Sequence, residues 1–315
     1  MRGASTATGA VDIGGTKIAV GIVDERGKLL DRQEMPTAAA EGAGEAFERI
    51  GRALVALQSR TGTALGGIGI GCTGPVDPLS GEIGVVEFLP GWQGSNPVRA
   101  LADRFDVTVA MENDADAAAL AEAQWGAGRG KRSLICVTVG TGIGGGIVLN
   151  GSLYRGVGGA HPEIGHHVID DSGPQCFCGA RGCWEVLARG PAMVERVLRE
   201  SPAAREGLTA QQVCESARSG DPLATREVAR EGRYLGLGIA NLITLYVPEM
   251  IVLAGSVMDS LDLFLPAIRG VVRGSCGLVP AERVEIAPAA LGAAAPLVGA
   301  AAVWLHRLGR TTTSC

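Results

Sequence analysis

The sequence carries the same local pattern twice, and this repetition limits the folds that the chain can adopt. In residues 11–30 and again in residues 137–155, a β-rich run is followed by a glycine turn with a threonine, a second β-rich run, a short polar turn and a third run. Apolar runs separated by such turns predict antiparallel strands. A repeated unit of this length indicates two similar half-molecules. We therefore predict two related domains, each of which opens with three strands.

The rest of the chain alternates helical and strand patterns. At 315 residues it exceeds one typical globular core, which also favours two domains. Apolar periodicity predicts helices at 44–60, 96–105, 114–125, 191–199, 210–218, 223–246 (as one helix or two) and 296–308. Short apolar runs predict further strands at 68–72, 107–111, 250–254 and 284–287.

The composition excludes two classes of partner. A net charge of −5 gives no basic surface for nucleic acid. No stretch reaches the roughly 18 uninterrupted apolar residues of a membrane span, and the first residues lack a basic and then apolar signal region. We therefore expect a cytoplasmic protein with neither a nucleic-acid nor a membrane partner.

Three of the eight cysteines, Cys176, Cys178 and Cys183, lie in one short glycine-containing stretch. A histidine, His166, precedes them by ten residues, so that four ligands can converge on one ion. Three cysteines and one histidine form a typical zinc set. A disulfide would leave one of the three cysteines over, and the other five are scattered singly, unlike the cysteines of a disulfide framework. We predict a zinc site.

Which histidine binds zinc stays open, because His161 and His167 also lie near the cysteines. Two glutamates, Glu163 and Glu185, flank the cluster, and a four-coordinate ion does not need them. The metal is therefore predicted to be structural, which leaves both glutamates for another role. Both are joined to the predicted ligands by very short lengths of chain, whereas the glycine turns of the two repeats have no such tether.

The glycine turns of the two repeats can bind phosphate. Their backbone N–H groups and hydroxyls can point at phosphate oxygens, and an acidic residue before the first turn can hold a hydrated magnesium ion. One such turn alone would be an ordinary hairpin, but the second copy suggests two loops that clasp a polyphosphate. No Gly-x-x-x-x-Gly-Lys-[Ser/Thr] loop competes. The residues concerned are Asp12, Gly14, Gly15, Thr16 and Lys17 in the first repeat and Gly140, Thr141 and Gly142 in the second.

The pair Asn113-Asp114 stands between a predicted strand and an alanine-rich helix. Asn113 can cap the helix, and a carboxylate at the carboxyl end of a strand lies where α/β sheets bind ligands. Upstream, Gly69-x-Gly71-x-x-Gly74 matches the dinucleotide-binding pattern by letter. Prolines and a glycine follow where its helix should begin, so we predict a loop instead.

Over residues 10–308 the chain resembles the ROK family, named for repressors, open reading frames and kinases, and in particular its bacterial glucokinase-like enzymes. The segment from Val139 to His166 is similar to the family signature, and that from Cys176 to Glu185 to its zinc loop. The resemblance implies an actin-like (ribonuclease H-like) duplicated fold of two α/β domains, with a hexose and ATP in the cleft between them. The expected boundaries are 1–115, completed by a helix at 296–315, and 116–295.

The matching positions imply the role of each residue. The nucleotide and its Mg²⁺ are assigned to Asp12, Gly14, Gly15, Thr16, Lys17, Gly140, Thr141, Gly142 and Gly255. Sugar contacts are assigned to Gly74, Asn113, Asp114, Glu163, His166 and Glu185, with Asp114 as the catalytic base. Zinc is assigned to His166, Cys176, Cys178 and Cys183. We expect an ATP-dependent glucokinase that forms a homodimer or homotetramer.

Two departures from the family pattern leave alternatives open. Ala254-Gly255-Ser256 stands where the family often has a run of glycines, and this concerns the nucleotide contacts on the base side. His161-Pro162 before Glu163 is also seen in fructokinase-like members. A fructokinase or an N-acetylmannosamine or N-acetylglucosamine kinase is therefore an alternative. A sugar-responsive repressor is disfavoured, because the eleven residues before Asp12 are too few for a DNA-binding module.

Overall fold

The computed structural model describes residues 6–201 and 207–309. The strands in these residues are β1 (Thr6–Ile13), β2 (Lys17–Val23), β3 (Leu29–Pro36), β4 (Ala64–Cys72), β5 (Val76–Asp77), β6 (Glu82–Ile83), β7 (Thr108–Asn113), β8 (Leu134–Val139), β9 (Ile143–Leu149), β10 (Ser152–Leu153), β11 (Met250–Ala254) and β12 (Glu285–Pro288). The α-helices are α1 (Ala43–Thr61), α2 (Pro97–Phe105), α3 (Asp114–Gln124), α4 (Trp184–Ala188), α5 (Gly190–Glu200), α6 (Ala210–Arg218), α7 (Pro222–Tyr246), α8 (Leu261–Ser275) and α9 (Ala295–Arg307).

The strands form two five-stranded sheets with matching order, which confirms the predicted duplication. The first sheet has the order β3-β2-β1-β4-β7 and the second β10-β9-β8-β11-β12. In the first, β1 to β3 pair antiparallel, while β4 runs parallel to both β1 and β7. In the second, β9 and β10 pair antiparallel, and β11 runs parallel to β8 and β12. The carboxyl ends of neighbouring parallel strands therefore meet at one edge of each sheet.

The chain divides into two compact units. One comprises the chain up to Arg132, Gly146–Pro162 and the chain from Ala289 onward. The other comprises Ser133–Gly145 and Glu163–Pro288. Each unit is therefore discontinuous in sequence.

In the first unit, helices cover both faces of the sheet. On one face, the apolar side chains of α1 pack on alternate residues of β1, β2 and β4. On the other face lies α9, whose Leu297 and Ala300 pack against Ala10 of β1. Glycines in β4 make this approach possible: a Cβ atom on Gly69 would lie 1.8 Å from the carbonyl oxygen of Ala300. The last described helix is thus part of the core of the first unit.

In the second unit, α7 and α8 pack closely together, because Gly232 and Gly236 of α7 leave room for α8. A Cβ atom at either position would lie within 3 Å of an α8 side-chain carbon. The predicted helix at 223–246 is a single helix, α7. The sequence patterns did not predict α8, because Pro266 stands inside it and indicates a break.

The predicted loop after β4 is confirmed. After Cys72 the chain forms a short hairpin of β5 and β6 and then irregular turns before α2, so that no helix follows the glycine pattern. No helix in the described part of the chain combines the length and apolar composition needed to cross a membrane.

Candidate active site and metal centre

Two acidic residues of the first unit meet at the carboxyl edge of its sheet. Asp12 lies near the end of β1, opposite Gly71 of β4, and Asp114 follows β7 directly. A Cβ atom placed on Gly71 would lie 3.6 Å from Oδ1 of Asp12 and 3.9 Å from Cα of Asp114. Gly71 therefore lies beside both acids and leaves the space next to them open.

This pair of acids concentrates negative charge. Burial, together with the nearby Asp114, raises the pKa of Asp12 to about 7, against the opposing effect of Lys17. Burial, Asp114 and Asp12 also raise the pKa of the neighbouring Cys72 thiol. Magnesium prefers carboxylate and water oxygens, so this site fits the cation that the sequence implies.

The turn from β7 into α3 holds Asn113 and Asp114 in place. The backbone N–H of Ala115 donates to Oδ1 of Asn113 at 2.9 Å and to Oδ1 of Asp114 at 2.8 Å. Asn113 is thus the helix cap, as predicted. The predicted sugar loop reaches this turn, because a Cβ atom on Gly74 would lie 2.7 Å from Nδ2 of Asn113. The positive end of α3 also favours negative charge at Asp114.

The first glycine turn is closed by one internal hydrogen bond and one from Thr37. The N–H of Gly14 donates to the carbonyl of Lys17 at 3.0 Å, and the Thr37 hydroxyl donates to the carbonyl of Gly14 at 2.6 Å. Gly15 packs so tightly that a Cβ atom there would lie 2.4 Å from Cβ of Phe88. Thr16 and Lys17 remain exposed at its end. These contacts hold the turn in one conformation.

The glycine loops of the second unit also lie together. The N–H of Gly140 donates to the carbonyl of Gly142 at 2.9 Å. Gly255 has φ of 94°, and a Cβ atom there would lie 2.3 Å from the carbonyl oxygen of Val139. Only this residue of Ala254-Gly255-Ser256 has positive φ. A single glycine therefore permits the close approach of the two loops at this point.

Four predicted zinc ligands of the second unit come together. Nδ1 of His166 lies 3.5 Å from Sγ of Cys176, and Sγ of Cys178 lies 3.4 Å from Sγ of Cys183. One ligand atom from each residue falls within 4.8 Å of all the others. A tetrahedral ion with bonds of about 2.3 Å separates its ligands by about 3.8 Å. The arrangement and the donor types therefore fit zinc.

The structure also separates the three histidines. His161 contacts Asp116 through Nδ1 at 2.6 Å, and Nδ1 of His167 contacts the carbonyl oxygen of Ile164 at 2.5 Å. Only His166 of the three joins the cysteines.

Glu185 connects the metal loop to a glycine loop. Its Oε2 accepts a hydrogen bond from the N–H of Ile143 at 2.9 Å, and a Cβ atom on Gly142 would lie 2.5 Å from the same oxygen. Its Oε1 lies 4.0 Å from Nε2 of His166. The second glycine loop has no short chain connection to the metal loop, as expected, but a hydrogen bond joins the two. The backbone carbonyl oxygen of Glu163 accepts a hydrogen bond from the N–H of His166 at 3.0 Å.

We expect about one zinc ion per chain, which Cys178→Ser should abolish because a hydroxyl is a poor replacement for a thiolate ligand. Metal analysis of the purified protein by mass spectrometry measures this. Cys214→Ser is the matched control, since Cys214 is a free cysteine on α6 outside the cluster. Protein without metal, with Cys176 and Cys183 joined in a disulfide, would contradict the prediction.

The sequence patterns missed a charged group of the first unit. Arg155 pairs with Glu112 and Asp116, and His161 contacts the same Asp116. The available signal was the acidic run from Glu112 to Asp116, which has three carboxylates in five residues and needs a cation if it is buried.

Comparisons with known proteins agree with this arrangement. The model of the ROK family matches residues 8–307. A glucokinase from Streptomyces coelicolor is 35% identical over 308 residues, which cover 92% of this chain and 95% of that protein. A ROK hexokinase from Thermus thermophilus has a TM-score of 0.82 at 34% identity and covers 96% of this chain and 100% of its own.

A fourth comparison concerns a structure with ligands bound. It is a ROK family glucokinase from Streptomyces griseus in complex with glucose and AMPPNP, with a TM-score of 0.79 at 34% identity. The match covers 96% of this chain and 100% of that chain. Because the family match extends over nearly the whole chain and both sheets follow the same plan, this protein belongs to the ROK family.

Proposed function

We propose that this protein is an ATP-dependent glucokinase, which transfers the γ-phosphoryl group of ATP to the 6-hydroxyl of glucose. The observation that carries the proposal is the position of Asp114, next to Asp12 and at the amino end of α3. In this proposal Asp114 is the base for the sugar hydroxyl and Asp12 the carboxylate for Mg²⁺, and both lie at the carboxyl edge of one sheet. The glucokinase relatives support glucose as the acceptor and ATP as the donor.

In this proposal Asp114 accepts the proton of the sugar hydroxyl as that oxygen attacks phosphorus. The amide of Asn113 and the backbone at Gly74 bind the sugar beside it. Glu163 and Glu185 accept hydrogen bonds from further sugar hydroxyls, and His166 also hydrogen-bonds to a sugar hydroxyl. A carboxylate suits this role because it can accept hydrogen bonds from two neighbouring hydroxyls.

The triphosphate is assigned to the two glycine loops, where catalysis consists mainly of alignment and charge neutralisation. In the first unit these are Gly14, Gly15, Thr16 and Lys17, with Asp12 for the cation. In the second they are Gly140, Thr141 and Gly142, with Gly255 on the nucleoside side. Bound Mg²⁺ would neutralise charge that develops on the phosphate oxygens. Bound zinc would hold the chain around Glu163 and Glu185 in its ordered form.

Other expectations stay predictions. They are the domain boundaries at 1–115 with 296–315 and at 116–295, a homodimer or homotetramer, and a cytoplasmic location. Light scattering measures the oligomeric state directly.

A panel of sugars tests the acceptor. With ATP and Mg²⁺ in a coupled ADP assay, we expect kcat/KM for glucose to exceed that for fructose, N-acetylmannosamine and N-acetylglucosamine by about ten-fold or more, because a pocket shaped for one hydroxyl pattern leaves polar groups unpaired with another. Reactions without sugar give the background ATP hydrolysis. If kcat/KM were higher for an acetamido sugar than for glucose, that sugar would be the preferred substrate in place of glucose.

A further inference from the structure

One arginine spans the turn that carries Asn113 and Asp114. A nitrogen of the Arg155 guanidinium, Nη2, donates to Oε2 of Glu112, the residue before this pair. The other terminal nitrogen, Nη1, lies 2.7 Å from Oδ2 of Asp116, two residues after Asp114. The guanidinium therefore joins Glu112, the last residue but one of β7, to the first turn of α3.

The contacts of this arginine are shielded from water. The exposed fractions of the side chains are 19% for Arg155, 13% for Glu112 and 0% for Asp116. Burial raises the pKa of Glu112, and Arg155 opposes that rise. Removing one partner of a buried pair leaves an uncompensated charge, so these ion pairs resist separation far more than exposed ones.

A second anchor acts on the same carboxylate. Nδ1 of His161 lies 2.6 Å from Oδ2 of Asp116. The segment from Arg155 to His161 is thus attached to α3 at both of its ends, and it is closed internally by the N–H of Gly156, which donates to the carbonyl of Ala160 at 2.8 Å. The other oxygen of Asp116, Oδ1, is buried without a hydrogen-bond partner. Asp116 is therefore oriented by the contacts of Arg155 and His161 with Oδ2.

We infer that Arg155 is a positioning residue for Asp114, an inference that rests on the proposed role of Asp114 as the base. Asp114 lies two residues from each carboxylate that Arg155 holds, so the turn cannot shift without breaking one of the two ion pairs. Displacing a catalytic group by about 1 Å can lower the rate about 100-fold. Arg155 thus affects kcat by fixing the position of Asp114, and it does not contact the substrate.

Arg155→Lys tests the inference, because an ammonium group keeps the charge but lacks the planar fork that spans two carboxylates. We expect kcat to fall about ten- to 100-fold with the best sugar of the panel, while the KM for ATP changes less than about three-fold. The matched control is Arg60→Lys, which alters an exposed arginine bonded to Asp31 in the same unit and should keep the wild-type kcat.

Hydrogen exchange gives a readout that does not need activity. The Ala115 amide donates to both Asn113 and Asp114, so its protection reports the order of the turn. In Arg155→Lys we expect this amide to exchange at least about ten-fold faster, with unchanged rates in α9. Glu112→Gln combined with Arg155→Lys should cost less than the sum of the two single changes, because both break the same pair.

The outcomes separate the two proposals. A wild-type protein that phosphorylates no sugar overturns the proposed function, and the exchange rate of Ala115 then decides the role of Arg155 in ordering the turn. Wild-type kcat in Arg155→Lys overturns the inference even if exchange is faster, because Arg155 is then only structural. The inference is also overturned if kcat and the fraction of folded protein fall and both KM values rise by the same factor.

Discussion

Asp114→Asn is expected to lower kcat by about 1000-fold or more, while the dissociation constant for glucose changes only a few-fold. An amide keeps the size of the carboxylate and can still accept the hydrogen bond from the Ala115 N–H that Oδ1 of Asp114 accepts at 2.8 Å. It cannot take up the proton of the attacking hydroxyl. Sugar binding should survive for this reason, and turnover should not. Coupled ADP kinetics and calorimetry with glucose measure the two quantities.

The control for this variant is Asp103→Asn. Asp103 lies on α2 in the same unit, is exposed, and has one ion pair with Arg99 at 3.9 Å. It should keep the wild-type kcat. If Asp114→Asn retained more than about a tenth of kcat, a loss of only about 1.4 kcal/mol, Asp114 could not be the base.

The second large effect is expected on removal of zinc, which should raise the dissociation constant for glucose at least about ten-fold. Ordering the backbone costs about 1–2 kcal/mol per residue, and a millimolar affinity amounts to only about 4 kcal/mol. Releasing a few residues around His166 and Cys183 would therefore remove most of the sugar affinity. Glu163 is expected to be the more sensitive of the two glutamates, because Glu185 also accepts a hydrogen bond from the Ile143 N–H at 2.9 Å, which does not involve the metal ligands.

The hydrogen bond from Ile143 to Glu185 also determines the effect that we expect zinc removal to have on nucleotide binding. Because Glu185 contacts the loop at Gly142, losing zinc should weaken binding of a non-hydrolysable ATP analogue as well, but less than that of glucose. The loop keeps an independent bond from the Gly190 N–H to the carbonyl of Gly140 at 2.9 Å.

Calorimetry on wild-type protein, on Cys178→Ser and on zinc-restored protein measures both affinities, and Cys178→Ser avoids any effect of a chelator on magnesium. Equal losses for the two ligands would indicate global unfolding. Unchanged glucose affinity would show that the glutamates are ordered without zinc.

The repeated strand and turn pattern predicted the fold well, because local patterning decides each of its parts. The antiparallel openings of both sheets depend on short turns that the chain itself specifies. Helix α8 was missed for the opposite reason. Its proline is a local signal for a break, but close packing on α7 stabilises the helix despite that signal.

The candidate site was predicted where its residues are close in sequence. The zinc ligands lie within 18 residues of chain, from His166 to Cys183, and the structure brings them together. The contacts of Arg155 with Glu112 and of Glu185 with Ile143 join residues 43 and 42 positions apart. Such pairs arise from tertiary packing, for which a single sequence gives no periodic signal.

The place of α9 has a consequence for how the chain folds as it is made. This helix covers β1, β4 and β7, and its Ala300 and Ala301 fill the face of the sheet around Ala10. During synthesis on the ribosome, that apolar face of the sheet stays exposed until residues beyond Ala295 have emerged. The second unit is complete in sequence at Pro288 and is available to fold before then. The unit whose synthesis begins first is therefore the one whose core is closed last.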